Sequence, residues 1–278
     1  MNIHQIKFLK DNNIDDNSNP LESMMSDLKY IEKSYSVFGP FRKKVLMVLD
    51  QVEFNYINLS RSAKIISRII NKTETEPYDI SSYMANSNIG LFESILIVNQ
   101  FKSNQSKYNY LLNQFIWRAF YYQVTIPQEL YEKHWPVDRA IQNKFFKGRT
   151  GYDIIDAAIV CLRSTGKMSN RNRMVCAIFF CKNLLQPWMD GEKFFKRYLE
   201  DYDLYLNRGN WIWSSQLKFD NQRFVRFISP ILELKRLMKN KILLEWYELW
   251  KQPKCDIIID YKESCTQYRN WLISSKKI

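Results

Sequence analysis

From Tyr30 onward, apolar residues recur at spacings of three and four along most of the chain, the signature of amphipathic helices. The run FRKKVLMVLDQVEFNYINLSRSAKIISRII carries this period, and Gly39-Pro40 just before it suits a helix start. TETEPYDISSY then breaks the pattern with Pro77 and two serines. The spacing predicts a helix over Tyr108 to Val124, ended before Pro127. Gly148-Arg149-Thr150-Gly151 predicts a tight turn, after which Asp153 falls in the first turn of a helix, where unpaired amides favour an acid. That helix puts Ile155, Ile159 and Leu162 on one stripe, and the next, in NRNRMVCAIFFCKNLL, does the same with Met174, Ile178, Cys181 and Leu185. Glu192 to Leu199 and Glu233 to Trp250 read as further helices, and Ile257 to Ile259 in CDIIIDY as the one strand-like run. Asp11 to Pro20, DNNIDDNSNP, reads as flexible. No βαβ alternation, GxGxxG or GxxxxGK[ST] occurs, so neither a dinucleotide-binding Rossmann unit nor a P-loop is supported. The expectation is a predominantly α protein, with residues 1–30 a flexible acidic segment and residues 31–278 one helical domain.

Composition sharpens this. The 278 residues carry a formal charge of +12, yet 46% are hydrophobic and 15% aromatic, which marks a folded chain and not a basic tail. Residues 1–32 hold six acids against three lysines, so the positive excess belongs to the folded part. No stretch reaches the roughly 18 uncharged apolar residues that a helical span needs, and the first residues resemble no leader, so neither a membrane span nor secretion is expected. The five cysteines form no CxxC and are odd in number, which fits reduced thiols in an intracellular compartment, nucleus or cytoplasm. His4 and His134 are the only histidines, which leaves no metal site and no Ser-His-Asp or Cys-His pair to expect.

Some residues ask for more than a core. Between Cys161 and Lys182 stand Arg163, Lys167, Arg171, Arg173 and Lys182 without an acid. Arg163, Lys167 and Lys182 read as a solvated face. Arg173 adjoins the apolar stripe, where a guanidinium needs a partner, and Asp201 and Asp203 in EDYDLYLNRGNWIW are the candidates. Trp117, Trp135, Trp188, Trp211 and Trp213 sit among breakers and polar residues. They are either core fillers or the lining of an aromatic pocket or redox chain, and the pattern alone leaves both open.

The block GRTGYDIIDAAIVCLRSTGKMSNRNRM (148–174) resembles the G-[RK]-T-G-[YF]…T-G…H-N-R-x-R-M pattern of the DNA photolyase/cryptochrome family. EDYDLYLNRGNWIW is similar to that family's D-x-D-x-x-x-N-x-G-x-W-x-W, and WRAFYY, RFVRFISP and IIIDYKES extend the likeness over roughly residues 78 to 270. The resemblance implies the family's FAD-binding helical bundle as the fold and FAD as cofactor. It implies that Arg173 and Asp201 pair against the flavin ring, that Asp203 faces its pyrimidine edge, that Asn207 lies nearest N5, and that Asn170 and Ser81 also bind the cofactor. Trp211, Trp188 and Trp135 match an electron-transfer chain, with Trp211 nearest the flavin and Trp135 at the surface. Trp117 matches the ring under a flipped-out base, Gln114 stands beside it, and the basic surface, with Arg118 as one contact, implies DNA as a partner.

Departures accompany the likeness. No Rossmann pattern precedes the matched region, so an antenna chromophore is not expected. The family's flavin-phosphate segment is matched only by PYDISSYMANS, where Ser81 and Tyr83 fit but Pro77, Tyr78 and Ser87 replace two hydroxyls and a glycine. Gln114 replaces a glutamate, Ser169 a histidine, Lys167 an aromatic residue, Lys218 a glycine and Ser229 an asparagine. Two readings follow: a minimal flavoprotein with light-driven electron transfer and DNA binding, or a degenerate copy of the fold, without flavin or repair, that serves as a nucleic-acid or protein-interaction module.

Overall fold

A computed structural model describes residues 2–6, 20–31, 33–51, 64, 66–67, 78–86, 89–219 and 224–274. Every regular element among the described residues is helical. They fall into two compact units, Ile3–Ile126 with Glu200–Gly209, and Pro127–Leu199 with Asn210–Ile278.

The first unit holds the helices Pro20–Leu28, Phe38–Leu49, Tyr78–Ala85, Leu91–Asn99 and Gln105–Gln123. The Pro20–Leu28 helix buries Met24 and Leu28, so an ordered element lies inside the 1–30 segment that its acids and turn formers mark as flexible; Asp11–Asn19 lies outside the described residues. The Gln105–Gln123 helix agrees with the expected span to within three residues. The Asn104 side chain caps it by accepting from the Lys107 amide at 3.1 Å, and extended backbone at Val124 ends it ahead of Pro127.

The second unit centres on the Asn170–Ile178 helix, whose C-terminal end passes into a π turn, Phe179–Asn183. The Leu184 amide there reaches back five residues to the Phe179 carbonyl, at 2.9 Å. The extra residue in this turn rotates the following side chains, and the consequence is visible at Lys182. Expected on a solvated face, Lys182 is 1% exposed, with Nζ donating to Gln216 Oε1 at 2.9 Å and to the Arg226 carbonyl at 2.8 Å. Val175 to Cys181 are all buried, so past its polar first turn the helix and the π turn are enclosed on every side and not along one stripe alone.

Around it stand Arg139–Phe146, Asp153–Thr165, Trp188–Tyr198, Pro230–Leu237, Lys241–Trp250 and Tyr261–Ser274. The expected Glu233–Trp250 helix is two helices, because the Asn240 side chain accepts from the Leu243 amide at 3.1 Å and so begins a new one. Ile257–Ile259 forms no strand, for among the described residues no second strand pairs with it. It crosses the glycine turn instead, with the Ile258 amide donating to the Thr150 carbonyl at 3.0 Å and the Tyr152 hydroxyl to the Ile259 carbonyl at 2.8 Å. The turn is held by buried Asp156, which accepts from the Thr150 amide at 2.8 Å, the Thr150 hydroxyl at 2.7 Å and the Gly151 amide at 3.0 Å. Burial still outweighs these bonds and pushes the Asp156 carboxyl up. Gly151 has φ +79° and lies so close to Asp256 that a Cβ would come within 2.7 Å of its carbonyl, which makes this glycine obligatory.

Candidate functional site

In the first unit the acids of EDYDLYLNRGNWIW meet the Gln105–Gln123 helix. Asp203 is 7% exposed, and its Oδ1 accepts from the Tyr205 and Leu206 amides at 3.0 and 3.1 Å, starting the Leu204–Ser214 helix. Its Oδ2 accepts from the Tyr122 hydroxyl at 2.6 Å and pairs with Arg118 Nη2 at 2.9 Å. Arg118 and Tyr122 are four residues apart on one helix, the spacing that sets them side by side. The same Nη2 donates to the Met84 carbonyl at 2.8 Å. Burial, above all, pushes the Tyr122 phenol up, so it stays protonated and donating.

Arg118 corrects an expectation. It is 4% exposed and bound inside the unit, so it is no surface contact for phosphate. Its Nε–H is buried with no acceptor among the described residues, an arrangement that costs about 1–3 kcal/mol until something supplies one.

Ser81, from the Tyr78–Ala85 helix, donates its hydroxyl to Asp201 Oδ2, and Ser82 donates to Glu200 Oε1 at 2.7 Å. Asp201 is 6% and Asn207 8% exposed. Gly209 is fixed by close approach, since a Cβ there would overlap the Tyr121 ring. Trp117 is half-buried beside half-buried Gln114, and one face of its ring is covered: Phe38 lies parallel to it, with ring centroids 3.6 Å apart and planes within 3°. Pro77 and Ser87 lie outside the described residues.

The remaining expected residues belong to the second unit. Arg173 is half-buried and donates from Nε to the Met168 carbonyl at 2.8 Å, while Asn170 opens the same helix on its exposed side. Ser169 is that helix's N-cap, accepting from the Asn172 amide at 3.1 Å, and Ser229 caps Pro230–Leu237 in the same way, so two departures from the family pattern are serviceable caps.

Trp211 is 1% exposed, held edge-to-face by Phe195 at 4.9 Å and Phe180 at 5.8 Å. A Cβ at Gly191 would overlap its ring. Trp188 is equally buried, with Nε1 donating to the Leu130 carbonyl at 3.2 Å. Trp135, expected at the surface, is 4% exposed because Trp271 of the Tyr261–Ser274 helix lies against it, centroids 4.4 Å apart. The indole N–H groups of Trp135 and Trp211 are buried without acceptors among the described residues. Among the described residues no cluster of three or more His, Cys, Asp or Glu offers a metal site, and no helix is long and apolar enough to cross a membrane.

Sequence reasoning missed four residues. Tyr122 and the inward role of Arg118 had a signal, the four-residue spacing inside WRAFYY, but nothing local named Asp203 as their partner. Phe38 and Trp271 had none, since each covers its tryptophan from a helix distant in sequence.

Residues 110–247 match the family described as the FAD binding domain of DNA photolyase. The chain is 30% identical over 183 residues to the deoxyribodipyrimidine photo-lyase of Escherichia coli, covering 57% of this chain and 39% of that one. It is 37% identical over 134 residues to that of Buchnera aphidicola (Acyrthosiphon pisum strain), covering 44% and 28%. The chain thus spans about two fifths or less of these relatives' length. In fold it is similar to a class III photolyase from Agrobacterium tumefaciens, with TM-score 0.63, 21% identity, and 78% and 56% of the two chains covered. It is also similar to a Synechocystis cryptochrome, with TM-score 0.60, 21% identity, and 75% and 52% covered. A helical scaffold of this type, carrying the paired acids and the ordered glycine and tryptophan motifs in family order, is a divergent FAD-binding helical domain, and the chain belongs to the DNA photolyase/cryptochrome family.

Proposed function

We propose that the protein is an intracellular flavoprotein that binds FAD and supports light-driven electron transfer, with DNA as a partner. The observation that carries the cofactor is the buried polar cluster of the first unit. Asp201, Asp203 and Asn207 are each under a tenth exposed, and beside Asp203 the Arg118 Nε–H has no acceptor. A donor left bare in so well-satisfied a network fits an acceptor brought by a bound polar molecule. Flavin, when bound, supplies the light absorption and the one-electron chemistry. Asp203 fixes the start of the Leu204–Ser214 helix and so sets where Asn207, one turn later, is held. Asp201 is oriented by the Ser81 hydroxyl, and these first-unit residues are the proposed cofactor contacts. Trp211, Trp188 and Trp135 are the proposed electron donors.

Repair of a flipped base is left out of this reading, because Phe38 already covers one face of Trp117. That contact argues against repair alone and says nothing of flavin, so of the second reading, a degenerate fold without flavin or repair, it favours only the loss of repair. DNA binding rests on the charge of +12 alone and predicts an affinity that falls steeply as salt rises. Flavin binding is tested by unfolding the purified protein, refolding it with FAD and passing it through a desalting column. Retention of about one FAD per chain supports the proposal; elution of all flavin in the small-molecule fraction rejects it.

A further inference from the structure

We infer that Trp271 is the outermost electron donor of the second unit's aromatic chain, the ring at which an oxidising vacancy is trapped and refilled. This rests on the electron transfer proposed above and adds a residue to it. An indole radical cation is a strong acid, and it stays mobile only while its N–H has nowhere to send the proton. Among the described residues Trp211 and Trp135 hold buried N–H groups with no acceptor, and Trp188 donates to the Leu130 carbonyl, a neutral and weak base. None of the three can discharge its proton. Trp135 is also 4% exposed, which leaves a soluble reductant no access to it.

Trp271 differs on both counts. Its ring is half-buried and so meets water, and it is packed on Trp135 at a centroid distance of 4.4 Å with planes 34° apart. That contact provides direct orbital overlap between the last buried ring and one that reaches solvent. The chemistry balances as follows. With flavin bound and excited, Trp211 would supply one electron, and the vacancy left on it would move outward through Trp188 and Trp135 by successive one-electron transfers. Trp271 gives an electron to the oxidised Trp135, loses its indole proton to water and becomes a neutral radical. An external thiol returns one electron and one proton, and two such turnovers leave the thiol as its disulfide. The Lys133 ammonium, 5.2 Å over the Trp271 ring, raises the cost of placing positive charge there, so it tunes the trap and does not create it.

Two readouts test this. Without cofactor, the Trp135–Trp271 pair gives an exciton couplet in circular dichroism. Trp271→Phe and Trp135→Phe each lose it, whereas Trp250→Phe keeps it; a couplet that survives Trp271→Phe overturns the inference. In FAD-loaded protein under blue light with dithiothreitol, Trp271→Phe loses the long-lived tryptophan radical and its flavin bleaching falls to that of Trp135→Phe. Trp271→Tyr, whose phenol can also be oxidised and lose a proton, restores bleaching, and Lys133→Met prolongs the radical. If Phe and Tyr behave alike, Trp271 only packs, and the inference fails while flavin binding stands. If FAD is not retained, the inference falls together with the proposed function.

Discussion

The two units bury polar atoms in opposite ways. In the first, Arg118, Tyr122, Asp203 and the Met84 carbonyl form a closed set in which the charges meet each other directly, and one donor, Arg118 Nε, is left over. In the second, the tryptophans are held by shape: Phe180, Phe195 and Gly191 around Trp211, and Trp271 against Trp135, with the N–H groups of Trp211 and Trp135 unpaired. A buried charge must be answered by a polar partner, an opposite charge as between Arg118 and Asp203 or neutral dipoles as around Asp156 and Lys182, whereas a ring needs only volume to be filled. One region is therefore fragile to loss of a single carboxylate, and the other to a single added carbon.

The largest expected effect is at Asp203. Asp203→Ala strands the Arg118 guanidinium and removes the start of a helix, so urea unfolding should register a loss of about 3–5 kcal/mol. A double variant, Asp203→Leu with Arg118→Met, removes both charges and should recover most of that loss; if it does not, direct charge pairing is not what matters there. Gly191→Ala, which drives a methyl into the buried Trp211 ring, should cost about 1–3 kcal/mol and disturb the near-ultraviolet dichroism. The same change at exposed Gly39, where a Cβ meets nothing within 4 Å, should leave that dichroism unaltered.

Glu233 gives the smallest effect and one with a pH signature. Its hydrogen bond from Arg171 outweighs burial and holds the carboxyl below the ordinary range. A depressed folded-state value means that the stabilisation is present above the unfolded carboxylate's pKa and is lost as pH falls through the folded value. Both guanidiniums, Arg171 and Arg236, are more than a third exposed, so solvent screens the pairs. Glu233→Gln should cost about 0.5–1 kcal/mol at neutral pH and progressively less as pH falls through the folded carboxyl's lowered value; a cost independent of pH would contradict the ion-pair account.

Local physics explains which features the sequence made legible. Pro127 stops the Gln105–Gln123 helix, Gly148 to Gly151 must turn, and the ordered acid, glycine and tryptophan motifs name the family, because each acts within a few residues. The break at Asn240 was hidden, since Met238 with Ile242 and Leu237 with Leu244 keep the apolar helical spacing across it and only the cap interrupts the chain. The three isoleucines of 257–259 favour strand, yet propensity without a pairing partner makes none. At the site, arginine is ordinarily a surface residue, and Arg118 turns inward for an acid far along the chain. Trp135 precedes a proline among exposed neighbours, and only a distant helix brings the ring that covers it.

Light tests the central claim most directly. The FAD-loaded protein, kept free of oxygen with dithiothreitol, should lose its blue flavin absorbance under illumination, and Trp188→Phe should hold the same flavin but stop the bleaching. Bleaching that proceeds equally in Trp188→Phe would contradict the account.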